Sequence, residues 1–366
     1  MYQIGEEALM LKSRNIGVGL VLVALLLSAV GVPLAADTAG ANQSSAPFIE
    51  SQAAMVADQA GHILYKKNEQ DRMYPASTTK ILTALLAVEN CNLNQTVTAG
   101  PEVNMVPAAS GRCGLVPGES ITMRDLLYGL LLRSGNDAAM TIAVNLARKA
   151  NPDLTMSEQE ALGEFSWMMN QRAQELGAKN SHFINPHGLP EPEHYSTARD
   201  LMLITMTAMK DPFLREVVAT PSYSPAGRSD KATGQAVVWV NTNKLLDKNS
   251  PFFMADAAGI KTGHTDEAGY CLVSSAHRKQ AQAYAVVLNS TQDGVWKDSA
   301  ELLDYGLSHS PSINEVQEEP APKKAKLATP ALPKWTYFLV FVSATALLAF
   351  VAMGFSRFAS KDKSEA

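Results

Sequence analysis

The chain has 366 residues, 46% of them hydrophobic, and a formal net charge of −5. So mild a charge, with no basic patch, argues against a nucleic-acid partner. Three cysteines, Cys91, Cys113 and Cys271, form no Cys-x-x-Cys pair, so no metal site and no cofactor are expected.

Lys12 and Arg14 precede an apolar run from Ile16 to Val32 and then the small residues Ala35 and Ala36. That is the order of a secretory signal peptide, assigned to residues 1–36. Met10 is an alternative start that would drop the acidic Glu6 and Glu7. Export would permit a disulfide, and Cys91–Cys113 is the pair that closes a short loop; buried free thiols are the expectation. A domain over 45–310 follows.

Within it, Ala53 to Asp58, the turn Gln59 to Gly61 and His62 to Lys67 read as a hairpin. Pro75-Ala-Ser77 leads into a helix over Thr78 to Glu89, with Ile81, Leu82, Leu85 and Leu86 at helical spacing. Ser77 is therefore expected at a strand-to-helix junction. Thr122-x-x-Asp125 is a start signal before Leu126, Leu127, Leu130 and Leu131. A second apolar helix runs from Asp137 through Leu146, with Ser134-Gly-Asn136 as the break between the two. A helix from Ser157 to Leu176, a loop from His182 to Pro190 and a helix from Thr197 to Met209 come next. Val237 to Val240 is a short apolar run before Asn241-Thr-Asn243. Gly259 to Thr265, Tyr270 to Ser275 and Ala283 to Asn289 are strand-like, with a hairpin turn over Asp266 to Gly269. The last helix covers Trp296 to Gly306. Strands at both ends of the domain with helices between them imply an α/β (α+β) fold. One antiparallel sheet of about five strands, closed by the domain's two ends, packs against helices, and a mostly helical lobe faces it across the site.

Residues 311–334 are rich in Pro, Ala, Lys and Glu and read as a stalk. Trp335 to Phe355 carries no charge and is long enough for a transmembrane helix. The tail, 356–366, holds Arg357, Lys361 and Lys363. With the signal peptide setting the topology, the domain is expected outside a membrane and the tail in the cytoplasm.

Three strings carry chemistry: Ser77-Thr-Thr-Lys80, Ser134-Gly-Asn136 and Lys261-Thr-Gly263. A serine hydroxyl needs a base to attack an amide. Lys80, three residues along a helix from Ser77, rises from the same face. Burial and a nearby cation lower a lysine pKa, and Lys261, if it faces Lys80 across the site, supplies that cation. Ser134 is placed to relay the proton to the leaving amine, and Asn136 to hold Lys80 and the substrate amide. Lys261 and Thr262 suit a terminal carboxylate. Gly263 leaves room for a substrate backbone along its strand. The main-chain N–H groups of Ser77 and His264 are the expected oxyanion donors. His187 and His194 are expected to pack within their loop, since Pro190 and Pro192 break any metal-binding helix between them.

The strings extend to Pro75-Ala-Ser-Thr-Thr-Lys80, Ser134-Gly-Asn-Asp-Ala138, Asn185-Pro-His-Gly-Leu-Pro190, His194-Tyr-Ser-Thr-Ala198 and Gly259-Ile-Lys-Thr-Gly-His-Thr265. From about Pro47 to Ser308 the chain resembles the serine D-alanyl-D-alanine carboxypeptidases, the low-molecular-mass penicillin-binding proteins of peptidase family S11. The resemblance implies a β-lactamase/transpeptidase-like fold, with Ser77 as acylated nucleophile, Lys80 as proton acceptor, Ser134 assisting proton transfer and Lys261 on the substrate carboxylate. It implies peptidoglycan stem peptides ending in D-Ala-D-Ala as substrates and β-lactams as covalent inhibitors. Many members carry a β-rich second domain; here the stalk follows the catalytic domain directly, so the site is expected close to the membrane.

Three alternatives share these residues. A class A β-lactamase would use a glutamate and a water to release the acyl group, but no Glu-x-x-Leu-Asn lies between Asn136 and Lys261. The others are a D,D-endopeptidase or transpeptidase and a catalytically silent wall-binding protein.

Overall fold

The computed structural model describes residues 46–152, 154–229 and 233–310. The signal peptide, stalk, transmembrane segment and tail assigned from sequence lie outside the described residues. No helix among the described residues is long and apolar enough to cross a membrane.

In chain order the strands are β1 (Ala53–Asp58), β2 (Ile63–Lys67), β3 (Thr96–Thr98), β4 (Ser120–Thr122), β5 (Ser222–Tyr223), β6 (Trp239–Val240), β7 (Ala257–Thr265), β8 (Gly269–Arg278) and β9 (Ala281–Ser290). The helices are α1 (Lys80–Asn90), α2 (Met123–Leu132), α3 (Asn136–Ala150), α4 (Glu158–Glu175), α5 (Ala198–Ala208), α6 (Pro212–Ala219) and α7 (Gly294–His309). The main sheet is antiparallel, in the order β2-β1-β9-β8-β7. The domain's first strand pairs with its last, Ala53 opposite Leu288 and Asp58 opposite Ala283, so the two ends of the domain close the sheet as expected.

Period-two alternation gives this sheet two apolar faces. Ala53, Met55 and Ala57 of β1 join Tyr284, Val286 and Leu288 of β9 in the core shared with the helical lobe. Ala54 and Val56 join Ala283, Ala285 and Val287 on the opposite face, where Leu302, Leu303 and Leu307 of α7 pack. A sheet covered on both faces needs apolar residues at both parities, which β1 supplies with five buried apolar residues in succession, Ala53 to Ala57.

α1 is buried from Lys80 to Ala87, enclosed by α2, α3, α4 and α5, with α5 between it and the sheet. Local signals set several helix starts. The Thr122 hydroxyl accepts from Asp125 N at 3.1 Å, Ser157 and Glu160 form a capping box, and Thr197 and Asp211 accept from Asp200 N and Leu214 N. Elements not read from the sequence are the β3–β4 and β5–β6 pairs and α6. Ser77 also differs from expectation. It sits in a 3-10 turn, Ala76–Thr79, that runs directly into α1, and the preceding segment makes only a single bridge, Met73 to Ser196.

Candidate active site

The 3-10 turn sets Ser77 at the head of α1. Ala76 is held at φ 47, the left-handed region that costs a non-glycine residue about 1–3 kcal/mol. The turn is locked by Thr78, whose Oγ1 and N both donate to Pro75 O, at 2.6 and 3.2 Å. One helical turn on, Lys80 is 0% exposed. Its Nζ lies 2.8 Å from Ser77 Oγ, 2.6 Å from Asn136 Oδ1 and 2.7 Å from the carbonyl of His187. Burial pushes the Lys80 pKa well below its ordinary value; the nearby Lys261 charge adds to this and Asp137 opposes it.

Two of those three partners are oxygens that cannot donate when Asn136 Oδ1 faces the amine. A neutral amine has two N–H groups and one lone pair. The Asn136 amide oxygen and the His187 carbonyl take the two N–H groups, and the lone pair is left for the Ser77 hydroxyl proton. The same three oxygens can also hold an ammonium; burial favours the neutral form, whose lone pair would face the Ser77 hydroxyl.

The His187 carbonyl was not foreseen, because a main-chain acceptor leaves no side-chain signature. Its loop is tightly built. Asn185 Oδ1 accepts from His187 N and Gly188 N at 3.3 and 2.7 Å, and Asn185 Nδ2 donates to Leu189 O at 2.9 Å. Thr83 Oγ1 donates to Pro186 O at 2.6 Å. His194 is buried with its pKa pushed down to about 3, chiefly by desolvation. Its Nδ1 accepts from Ile184 N at 3.0 Å, which leaves the proton on Nε2 to donate to Thr79 Oγ1 at 2.9 Å. Both histidines serve the loop, as the sequence reading expects.

Ser134 and Asn136 come from the α2–α3 break. Ser134 has φ 56, and its neighbours are fixed by Gly135 N to Gly129 O at 3.1 Å and Asn136 N to Gly111 O at 2.8 Å. Among the described residues the Ser134 hydroxyl makes no hydrogen bond to Ser77 or Lys80. Asp137, also missed as a site residue, is fully buried. Its carboxylate accepts from the N–H groups of Cys113, Gly114, Leu115 and Ala138 at 2.8–3.0 Å, which ties the 111–115 loop to the start of α3.

The third wall is β7, an edge strand of the sheet. Lys261 is 1% exposed, and burial pushes its pKa down to about 7. Its Nζ donates to Thr262 O at 2.8 Å, which leaves two N–H donors of the charged form for a ligand. The Thr262 and Thr242 hydroxyls are 2.7 Å apart. Gly263 has a more immediate role than leaving room for substrate. An added Cβ would lie 3.0 Å from both Ser77 N and Ala76 Cβ and 3.2 Å from Pro75 O, so a larger residue would push β7 and the Ser77 turn apart by a few tenths of an ångström. His264 is exposed, and its ring packs on Tyr270 with centroids 4.1 Å apart, consistent with a part played by its main chain.

The three cysteines are unbridged thiols. Burial raises the pKa of each, that of Cys271 to about 12, which leaves them poor nucleophiles at neutral pH.

A family model described as D-alanyl-D-alanine carboxypeptidase matches residues 40–292. The D-alanyl-D-alanine carboxypeptidase DacF of Bacillus subtilis is 32% identical over 293 residues, 78% of this chain and 69% of DacF. The D-alanyl-D-alanine carboxypeptidase of Streptomyces sp. K15 is 34% identical over 288 residues, 76% of this chain and 95% of its own. Among solved structures, the Streptomyces K15 DD-transpeptidase matches with a TM-score of 0.64 at 33% identity, covering 72% of this chain and 99% of that one. A D-alanyl-D-alanine carboxypeptidase from Mycobacterium tuberculosis matches with a TM-score of 0.62 at 32% identity, covering 74% and 96%.

Proposed function

The chain belongs to the D-alanyl-D-alanine carboxypeptidase family of serine peptidases, and on that footing we propose that it removes the terminal D-alanine from peptidoglycan stem peptides through an acyl-serine at Ser77. The observation that carries this reading is the Lys80 amine, buried and 2.8 Å from Ser77 Oγ, with its other two partners both acceptors.

The substrate backbone lies along the free edge of β7 as an added strand. Its terminal carboxylate meets the Lys261 ammonium and the Thr262 hydroxyl. The Asn136 amide N–H₂, not needed by Lys80, takes the substrate's amide carbonyl. Ser77 Oγ attacks the carbonyl carbon of the penultimate D-alanine as its proton passes to Lys80 Nζ. The oxyanion is held by the N–H groups of Ser77 and His264. The C–N bond breaks, a proton reaches the leaving amine with Ser134 as relay, and D-alanine departs. Water then attacks the ester carbonyl while Lys80 again takes the proton, and Ser77 is restored.

Incubation with a pentapeptide ending in D-Ala-D-Ala is expected to release free D-alanine in step with substrate loss. Transfer of the acyl group to an added amine in place of water would instead favour the transpeptidase named for the Streptomyces K15 structure. β-Lactams are expected to acylate Ser77 and leave slowly, because the chain lacks the glutamate–asparagine string that would activate water. Intact-protein mass spectrometry should show the adduct persisting; fast turnover of penicillin with no adduct would favour the β-lactamase.

The pH dependence follows from two lysines with opposite requirements. Lys80 must be neutral to act as a base, so kcat/KM rises as pH passes its lowered pKa. Lys261 must be charged to bind carboxylate, and its pKa of about 7 sets an alkaline fall. Bound carboxylate stabilises the Lys261 cation, so the fall in kcat comes at higher pH than the fall in kcat/KM. A kcat/KM that kept climbing well above neutrality would remove Lys261 from the carboxylate.

The chain is further proposed to act on the outer face of a bacterial membrane, held by the segment Trp335 to Phe355. The support is the uncharged length of that run and the signal-like start of the chain. Fractionation of cells expressing the full chain, with protease added to intact spheroplasts, tests both: the domain should be degraded from outside and the C-terminal tail retained with the membrane.

A further inference from the structure

We infer that Thr242 is a second hydroxyl of the carboxylate pocket, a positioning residue that turns the Thr262 O–H toward the substrate's terminal carboxylate. The inference rests on the carboxypeptidase reading and deepens it.

Thr242 stands in the Asn241-Thr-Asn243 run, a string with no evident use in the sequence. Its frame is rigid on both sides. Asn241 Nδ2 donates to Val218 O and Thr220 O at 3.2 and 3.0 Å, and Asn241 N donates to Pro221 O at 2.8 Å. Asn241 Oδ1 accepts from Asn243 N at 3.0 Å, and buried Asn243 Oδ1 accepts from Leu245 N at 3.0 Å. Thr242 N donates to Leu132 O at 3.1 Å, two residues before Ser134. The residue is thus fixed to the helical wall by its main chain and reaches the sheet wall by its hydroxyl, 2.7 Å from Thr262 Oγ1. Both hydroxyls are solvent-facing, and among the described residues neither makes a further hydrogen bond.

Two hydroxyls in contact share one proton between them and leave the second free. If Thr262 donates to Thr242, its exposed lone pairs repel a carboxylate. If Thr242 donates to Thr262, the Thr262 O–H is released to donate to the ligand, and the chain Thr242–Thr262–carboxylate is polarised in one direction. Among the described residues the Thr242 hydroxyl makes no further hydrogen bond, and an arriving anion, which needs a donor from Thr262, favours the second arrangement. The neighbouring Lys261 ammonium donates to the Thr262 carbonyl and keeps two donors unused among the described residues.

The test compares wild type, Thr242→Val and Thr242→Ser on a pentapeptide ending in D-Ala-D-Ala and on the same peptide with a terminal carboxamide. Valine keeps the shape and loses the hydroxyl; serine does the reverse. On the free acid, Thr242→Val is expected to lose about tenfold in kcat/KM, carried by KM, the usual size for a hydrogen bond that serves a charged group. Thr242→Ser should stay within about twofold of wild type. On the carboxamide, Thr242→Val should match wild type. A role in packing alone would spare valine and penalise serine, and that pattern overturns the inference. So does an equal loss on both peptides, or no loss with Thr242→Val. If wild type releases no D-alanine, the carboxypeptidase reading falls and takes the inference with it.

Discussion

Lys80→Met is expected to reduce D-alanine release as far as Ser77→Ala does, by about 10⁴-fold or more, and the double variant is expected to be no worse than either. The reason is that the two groups act as one device. Without Lys80 the Ser77 proton has nowhere to go: Asn136 Oδ1 and the His187 carbonyl already face the amine's position, and among the described residues Ser134 offers Ser77 no direct hydrogen bond. Without Ser77 the base has nothing to deprotonate. Groups that act as a unit give grossly non-additive losses, so non-additivity is the diagnostic rather than the size of either loss.

Stability should separate the two variants. Methionine removes a desolvated amine but leaves two buried oxygens without a donor, at about 1–3 kcal/mol for each group left unsatisfied. Ser77→Ala orphans neither oxygen and should melt close to wild type. Both should still bind the pentapeptide, because Lys261 and Thr262 remain. The measurements are the rate of penicillin adduct formation, D-alanine release and a thermal melt. A Lys80→Met variant acylated within tenfold of wild type would place the base elsewhere.

The parts of this molecule that announced themselves in sequence are those whose causes are local. Helix starts at Thr122, Ser157 and Thr197 each depend on a hydroxyl three residues before its partner. The β1–β2 and β7–β8 hairpins depend on short turns. The three strings proposed to carry the chemistry are legible because such chemistry demands particular side chains, and the fold brings Ser77, Lys80 and Asn136 into direct contact. What escaped is non-local or carried by main chain. Pairing of Thr96–Thr98 with Ser120–Thr122 spans a long connection, and neither three-residue strand has a pattern of its own. The His187 carbonyl and the Asp137 cradle serve through backbone groups, which any residue can provide. α6 is the exception: Asp211 before Pro212 is a local start signal that the sequence reading passes over.

Gly188→Ala should show how much of the site depends on that main-chain contact. Gly188 has φ 88, already hostile to alanine, and an added Cβ would overlap the Ala76 carbonyl and lie 2.9 Å from Thr79 Oγ1. The obstacle is backbone, so no side-chain rotation relieves it. Either the 185–190 loop backs away, withdrawing the His187 carbonyl from Lys80, or the Ala76 turn moves and carries Ser77 with it. Both routes spoil the same geometry. The expected cost is about 3–4 kcal/mol of stability, a fall of about 10 °C in Tm. A displacement of about 1 Å between reacting groups costs about 10²-fold in rate, so acylation should drop by at least that in the fraction that remains folded. Gly163→Ala is the control. It lies in α4 with nothing within 4 Å of an added Cβ, and alanine there should stabilise by up to about 1 kcal/mol with activity unchanged. A Gly188→Ala protein that melts and acylates like wild type would mean that the loop yields freely, and that the third contact on Lys80 is dispensable for keeping the amine neutral and aimed.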